Sequence, residues 1–168
     1  MNVTLDECFQ FGLGAFETIG IEQGIPILLD KHLKRLERAA DFLKLGSLSE
    51  RGITARKIEK YLEEQKMRTE VQKEFGNLEH CALKIMLTKE NMVYSLRANH
   101  YTPEKYEKGF FIDISAVKRN ETSPLVYHKT MNYGDCILEK RKATAAGMDE
   151  RLFLNTKEQV SEGTVSNV

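Results

Sequence analysis

The stretch "LVYHKTMNYGD", residues 125–135, sets the amine of Lys129 among Tyr127, His128 and Tyr133, directly after an apolar pair. In aromatic company a lysine can be desolvated, which lowers its pKa and lets it act as a base or as a Schiff-base nucleophile. The same pattern also serves a surface lysine whose stem covers apolar neighbours. Downstream, Glu162 in "VSEGTVSN" precedes a glycine and stands among hydroxyl side chains. That mix suits hydrogen bonds to an anionic or heterocyclic ligand, or a plain turn. Far upstream, Arg35 has the fork that grips a phosphate, or it lies on a solvated helix face. His100 and His128 fit hydrogen-bonded structure better than general-base chemistry. The chain has no Gly-x-Ser-x-Gly elbow and no P-loop.

The elements that must position these groups are mixed α and β. "AFETIGI" and "IPILL" flank Gln23-Gly24 and predict a hairpin. A helix follows, with Asp30 as expected N-cap and Gly46 as expected stop, and Leu33, Leu36, Ala40 and Leu43 form its apolar stripe. Arg35 falls roughly 160° from that stripe at 100° per residue, so packing does not require it there. A second helix is expected from about Thr54 to Gln65, with Ile58, Tyr61, Leu62 and Gln65 on one side. "CALKIMLT", "MVYSLRANHY" and "FFIDISAV" predict three more strands in mainly antiparallel pairing. The polar run 117–124, "VKRNETSP", is the expected linker between a domain of residues 1–116 and a second one beginning at 125. Beyond it, a helix capped by Asn132 runs toward Gly147, and "RLFLN", "TKEQ" and "VSEGTVSNV" make a hairpin and a loop. The apolar ending "GTVSNV" suggests a second domain cut at residue 168.

Length and composition set the class. The 168 residues are 41% hydrophobic and 30% charged, with 25 Lys plus Arg balanced by 25 Asp plus Glu. Such a chain buries a core but has no electrostatic footprint for nucleic acid or an anionic membrane. A small molecule or another protein is the expected partner. Cys8, Cys81 and Cys136 lie far apart without Cys-x-x-Cys or His spacing, so neither a disulfide framework nor a metal site is indicated. The absence of a signal-type run and of 18 consecutive apolar residues predicts a cytoplasmic protein.

Four ordered motifs go further. "FGLGAFET" at 11–18, "HLKRL" at 32–36, "HKTMNY" at 128–133 and "EGTVSNV" at 162–168 resemble the signatures of fold-type IV pyridoxal-phosphate enzymes. That family contains the class IV aminotransferases and the 4-amino-4-deoxychorismate lyases. The resemblance implies a two-domain fold like that of D-amino-acid aminotransferase, a pyridoxal 5'-phosphate cofactor and a homodimer. It assigns Lys129 to the internal aldimine and proton transfer, Arg35 to the cofactor phosphate and Glu162 to the pyridine nitrogen. Tyr133 corresponds to the tyrosine on the phenolic oxygen, and Thr164 and Ser166 border the cofactor. Phe16 stands where D-amino-acid enzymes carry a substrate-binding tyrosine. Arg97 and His100 resemble their carboxylate-binding pair, or sit on a solvated strand edge. The short start and the "FET" triplet look most like the lyases, which release 4-aminobenzoate and pyruvate. A branched-chain or D-amino-acid transaminase is the alternative, and an inactive fragment lacking part of the cofactor site is a third reading.

Overall fold

Strand alternation decides the first sheet. In β1 (Ala15–Glu22) every second residue, Ala15, Glu17, Ile19 and Ile21, is buried, because successive side chains of a strand point to opposite faces. The computed structural model describes residues 2–168. They pack as two units: one runs to His100 and adds His128–Met131, and the other joins Tyr101–Tyr127 to Asn132–Val168.

In the first unit, β2 (Ile25–Pro26), β3 (His80–Leu87) and β4 (Met92–Ala98) complete an antiparallel sheet in the order β2-β1-β3-β4. Gln23 and Gly24 both have positive φ, 51° and 77°, the combination that two-residue hairpins favour. Opposite Ile19 and Ile21 stand Leu83 and Cys81. This face receives the apolar sides of α2 (Leu29–Phe42) and α3 (Ala55–Lys66), with Leu36, Ala39 and Ala40 from one and Ile58 and Leu62 from the other. Each fully buried leucine or isoleucine contributes about 1.5–3 kcal/mol. The helix α3 begins where the sequence expects it, and Thr54 caps it, its side chain accepting from the Lys57 N–H. The expected ends of α2 shift. Its N-cap is Leu28 in the left-handed region, not Asp30. It closes at Lys44 (φ 56°), where Leu45 N–H donates to Ala40 O and Lys44 N–H to Asp41 O. That is a Schellman pair with lysine in the usual glycine place. Three short helices escaped the periodicity: α1 (Glu7–Phe11), α4 (Thr69–Phe75) and α5 (Pro103–Lys108), each too short for a repeat to show.

In the second unit, β5 (Ile112–Arg119), α6 (Gly134–Ala145), β6 (Glu150–Asn155) and β7 (Val160–Gly163) build a three-stranded sheet in the order β5-β6-β7. β6 and β7 form the expected antiparallel hairpin, but β5 and β6 run parallel. The helix α6 is the crossover that a parallel pair needs, and its N-cap is Tyr133 rather than Asn132. The polar run expected as a linker opens as the last residues of β5, and the unit takes in everything from Tyr101 to Tyr127. No described helix is long and apolar enough to cross a membrane.

Candidate active-site residues

Lys129 belongs to the first unit, where its segment is laid against the start of β1. Phe16 N–H donates to Lys129 O at 3.1 Å, Met131 N–H donates to Gly14 O at 2.7 Å, and Ala15 bridges Thr130. The Lys129 Nζ stands 4.6 Å from the centroid of the Phe16 ring, and Lys84 Nζ stands 4.9 Å from the same centroid. Two ammonium groups thus face one aromatic ring, an attraction of about 0.5–2 kcal/mol each depending on desolvation. Burial lowers the Lys84 pKa, and nearby Arg97 lowers it further. Gly14 admits no side chain: a Cβ there would meet Cys8 Sγ at 2.8 Å and Met131 Cγ at 2.9 Å. His128 stacks on Phe42 with centroids 4.2 Å apart, a structural role.

Arg35 is not on a solvated face. Its Nε donates to Glu17 Oε1 at 2.5 Å and its Nη2 to Glu17 Oε2 at 2.6 Å, while His32 Nδ1 lies 2.8 Å from the same Oε2. Glu17 is wholly buried, and burial alone would raise its pKa; the bonds from Arg35 and His32 outweigh that and hold it below the usual carboxylate range. Phe16 and Glu17 are neighbours on β1 and point to opposite faces. The Lys129 stack and the Arg35 pair therefore approach the strand from two sides. Arg97 is exposed near the end of β4, and His100 is exposed beyond it.

Tyr133, Glu162 and Thr164 belong to the second unit. Burial, with Cys136 and Glu162 adding to it, pushes the Tyr133 phenol well above its ordinary value, so it remains a protonated donor. Glu162 sits on β7 opposite Phe153, with Arg119 Nε 2.8 Å from its Oε1. The Arg119 N–H does not point along that contact, so the pair is held by charge more than by an aligned hydrogen bond. The Arg119 guanidinium also lies 5.5 Å from the Phe153 ring. Thr164, expected on the cofactor, is fully buried; its amide and its hydroxyl both donate to Glu150.

Nothing in the sequence alone assigns a role to Glu17, Lys84, Arg119 or Glu150. Glu17 carried a signal: it is a charged residue in the buried phase of an otherwise apolar alternation. Arg119 was hidden in a polar run read as linker, and Glu150 has no local pattern to mark it.

This architecture and these motifs are shared. The chain belongs to the amino-transferase class IV family, whose profile matches residues 14–168. It is 25% identical over 170 residues to aminodeoxychorismate lyase of Bacillus subtilis (strain 168), across 97% of this chain and 57% of that protein. The crystal structure of 4-amino-4-deoxychorismate lyase from Pseudomonas aeruginosa superposes with a TM-score of 0.71 at 20% identity, covering 98% of this chain and 62% of that one. A hypothetical aminotransferase from Mycobacterium tuberculosis, in its PLP-bound form, superposes with a TM-score of 0.63 at 17% identity, covering 98% and 60%. The chain therefore spans about three-fifths of the length of these relatives.

Proposed function

We propose that this protein is a pyridoxal-phosphate-dependent lyase that converts 4-amino-4-deoxychorismate to 4-aminobenzoate and pyruvate. The observation that carries the reading is Lys129, pinned by its backbone to β1 with its amine over the Phe16 ring, in a chain similar along 97% of its length to a lyase. The family resemblance assigns Lys129, Arg35, Tyr133 and Glu162 to one cofactor, and each has chemistry that suits its part: an amine for an aldehyde, a guanidinium for a phosphate, a phenol for a phenolate oxygen and a carboxylate for a pyridine nitrogen. Bound pyridoxal phosphate supplies an electron sink that acidifies the carbon next to a substrate amine.

The chain's own residues do the rest. Lys129 holds the cofactor covalently and then moves the proton at its Nζ. Loss of the ring proton and departure of the three-carbon side chain as pyruvate leave an aromatic product, whose aromatisation drives the step. Arg35 binds phosphate, and Glu17 fixes the plane of its guanidinium beforehand. Tyr133, kept protonated, donates to the phenolate oxygen. Glu162 keeps the pyridine nitrogen protonated. Phe16 offers an apolar face, with no hydroxyl to bind a carboxylate, which favours the lyase over a D-amino-acid transaminase.

Incubation with 4-amino-4-deoxychorismate should release equimolar 4-aminobenzoate and pyruvate, and Lys129→Ala should abolish the release. Transfer of an amino group from an amino acid to 2-oxoglutarate, without 4-aminobenzoate, overturns the lyase in favour of the transaminase. Borohydride reduction followed by peptide mapping should find the label on Lys129; a label on another lysine refutes that assignment. The functional form proposed is a homodimer, which sedimentation reads directly.

A further inference from the structure

Glu150 opens β6 and is 1% exposed, yet its donors are all backbone N–H groups or hydroxyls. Oε1 accepts from Arg151 N–H at 3.0 Å, from Thr164 N–H at 3.0 Å and from the Thr164 hydroxyl. Oε2 accepts from Val165 N–H at 3.2 Å and from the Ser166 hydroxyl at 2.8 Å. Four of these five bonds come from the consecutive residues 164–166. The neighbouring Arg151 guanidinium is turned elsewhere, to Glu139 and Asp113. A buried carboxylate without a cation is costly unless its lone pairs are filled, and here the loop fills them.

The loop is fitted to this carboxylate at close range. A Cβ on Gly163 would meet Ser166 Oγ at 2.4 Å and Glu150 Cδ at 3.2 Å, so only glycine lets the chain wrap this tightly. Gly163 N–H closes the turn by donating to Ser166 O at 2.9 Å, and Thr164 N–H also reaches Arg151 O at 3.0 Å. Apolar packing is non-directional, whereas five bonds to two oxygens define where the loop lies and how it is turned. Glu162 is the residue immediately before this turn, on the last strand of the sheet.

We infer that Glu150 is a positioning residue: its carboxylate holds the 163–166 loop and thereby sets where the Glu162 side chain stands toward the cofactor ring. The inference rests on the proposed cofactor for its second half only; the holding of the loop stands on the geometry alone. Glu150 touches no reacting atom, and its effect passes through Glu162.

The test compares wild type with Glu150→Gln, which keeps the shape but turns an –NH2 donor toward donors on one side of the cluster. Without cofactor, hydrogen exchange at the Thr164 and Val165 amides accelerates at least about tenfold, one lost bond's worth, while the amides of β3 keep their rates. With pyridoxal phosphate, the dissociation constant rises at least about tenfold and the pH midpoint of the bound cofactor's absorbance shifts, a change that lowered global stability alone does not produce. Glu150→Gln with wild-type exchange overturns the inference. So does faster exchange with unchanged affinity and absorbance midpoint, which reduces Glu150 to a fold element. A wild-type protein that takes up no pyridoxal phosphate refutes the proposed function instead, and the exchange result then decides the loop's dependence on Glu150.

Discussion

Glu17 in the first unit and Glu150 in the second are buried to nearly the same degree, 0% and 1% exposed, and they are held by opposite means. Arg35 and His32 hold Glu17 through charge, and Arg35 keeps more than a third of its side chain exposed. Glu150 is held by five neutral donors. In the first case the buried anion orients a functional cation and is largely neutralised by it. In the second it orients a stretch of backbone and keeps its full negative charge inside. A charge pair fails when one member is removed, because the other is stranded; a ring of dipoles fails by degrees.

The sharpest way to break this comparison is Arg35→Met, which leaves a wholly buried carboxylate with His32 alone. It should cost about 3–5 kcal/mol in chemical denaturation, and adding Glu17→Leu should recover most of the loss. A cost under about 1 kcal/mol would show that the pair is no more than a surface bridge. Glu150→Ala comes next, at about 2–4 kcal/mol, since several buried donors lose their acceptor but part of the loop can turn to water.

Acid should weaken both. Burial acts to raise each pKa, but the bonds win and both carboxyls are held below the usual carboxylate range. A group with a depressed native pKa contributes its full stability above the unfolded value and loses it as the pH falls through the native one. The denaturation midpoint should therefore drop below about pH 4.5, and Glu17→Leu with Arg35→Met should flatten its share of the slope. The smallest effect sharpens the contrast most finely. Ser166→Ala removes one of five bonds and should cost about 1 kcal/mol. High salt should leave that cost unchanged while weakening the half-exposed Arg35 pair.

Much of the first unit was legible because its signals are local. The stripe on α2, the apolar side of α3 and the Gln23-Gly24 turn each lie within a few residues of what they dictate. The lysine stop of α2 was not legible, since nothing but the backbone tells that Lys44 takes the left-handed turn. The parallel β5–β6 pair departs from the antiparallel pairing that the hairpins elsewhere predict, because α6 supplies the crossover that joins them. Among candidate site residues, Lys129, Arg35, Tyr133 and Glu162 stood out through ordered motifs. Their pairings did not: Glu17 lies inside "FGLGAFET", but it meets Arg35 across 18 positions, and Glu150 meets Thr164 across 14; such contacts appear only once the chain is folded.

The bridge between Ala15 and Thr130 has a consequence for how the molecule is made. The first unit is not contiguous: the stretch Gly14–Phe16, where β1 begins, is completed by four residues, His128–Met131, and the interval between them contains the opening of the second unit. A chain emerging from the ribosome can pair β1 with β3 early, but it lacks the segment bearing Lys129 until synthesis has passed β5. Closing so long a loop is slow. Docking of the segment that bears Lys129 is therefore the natural last step of the first unit, and a nascent chain halted before residue 128 would carry the N-terminal sheet without the amine proposed to serve it.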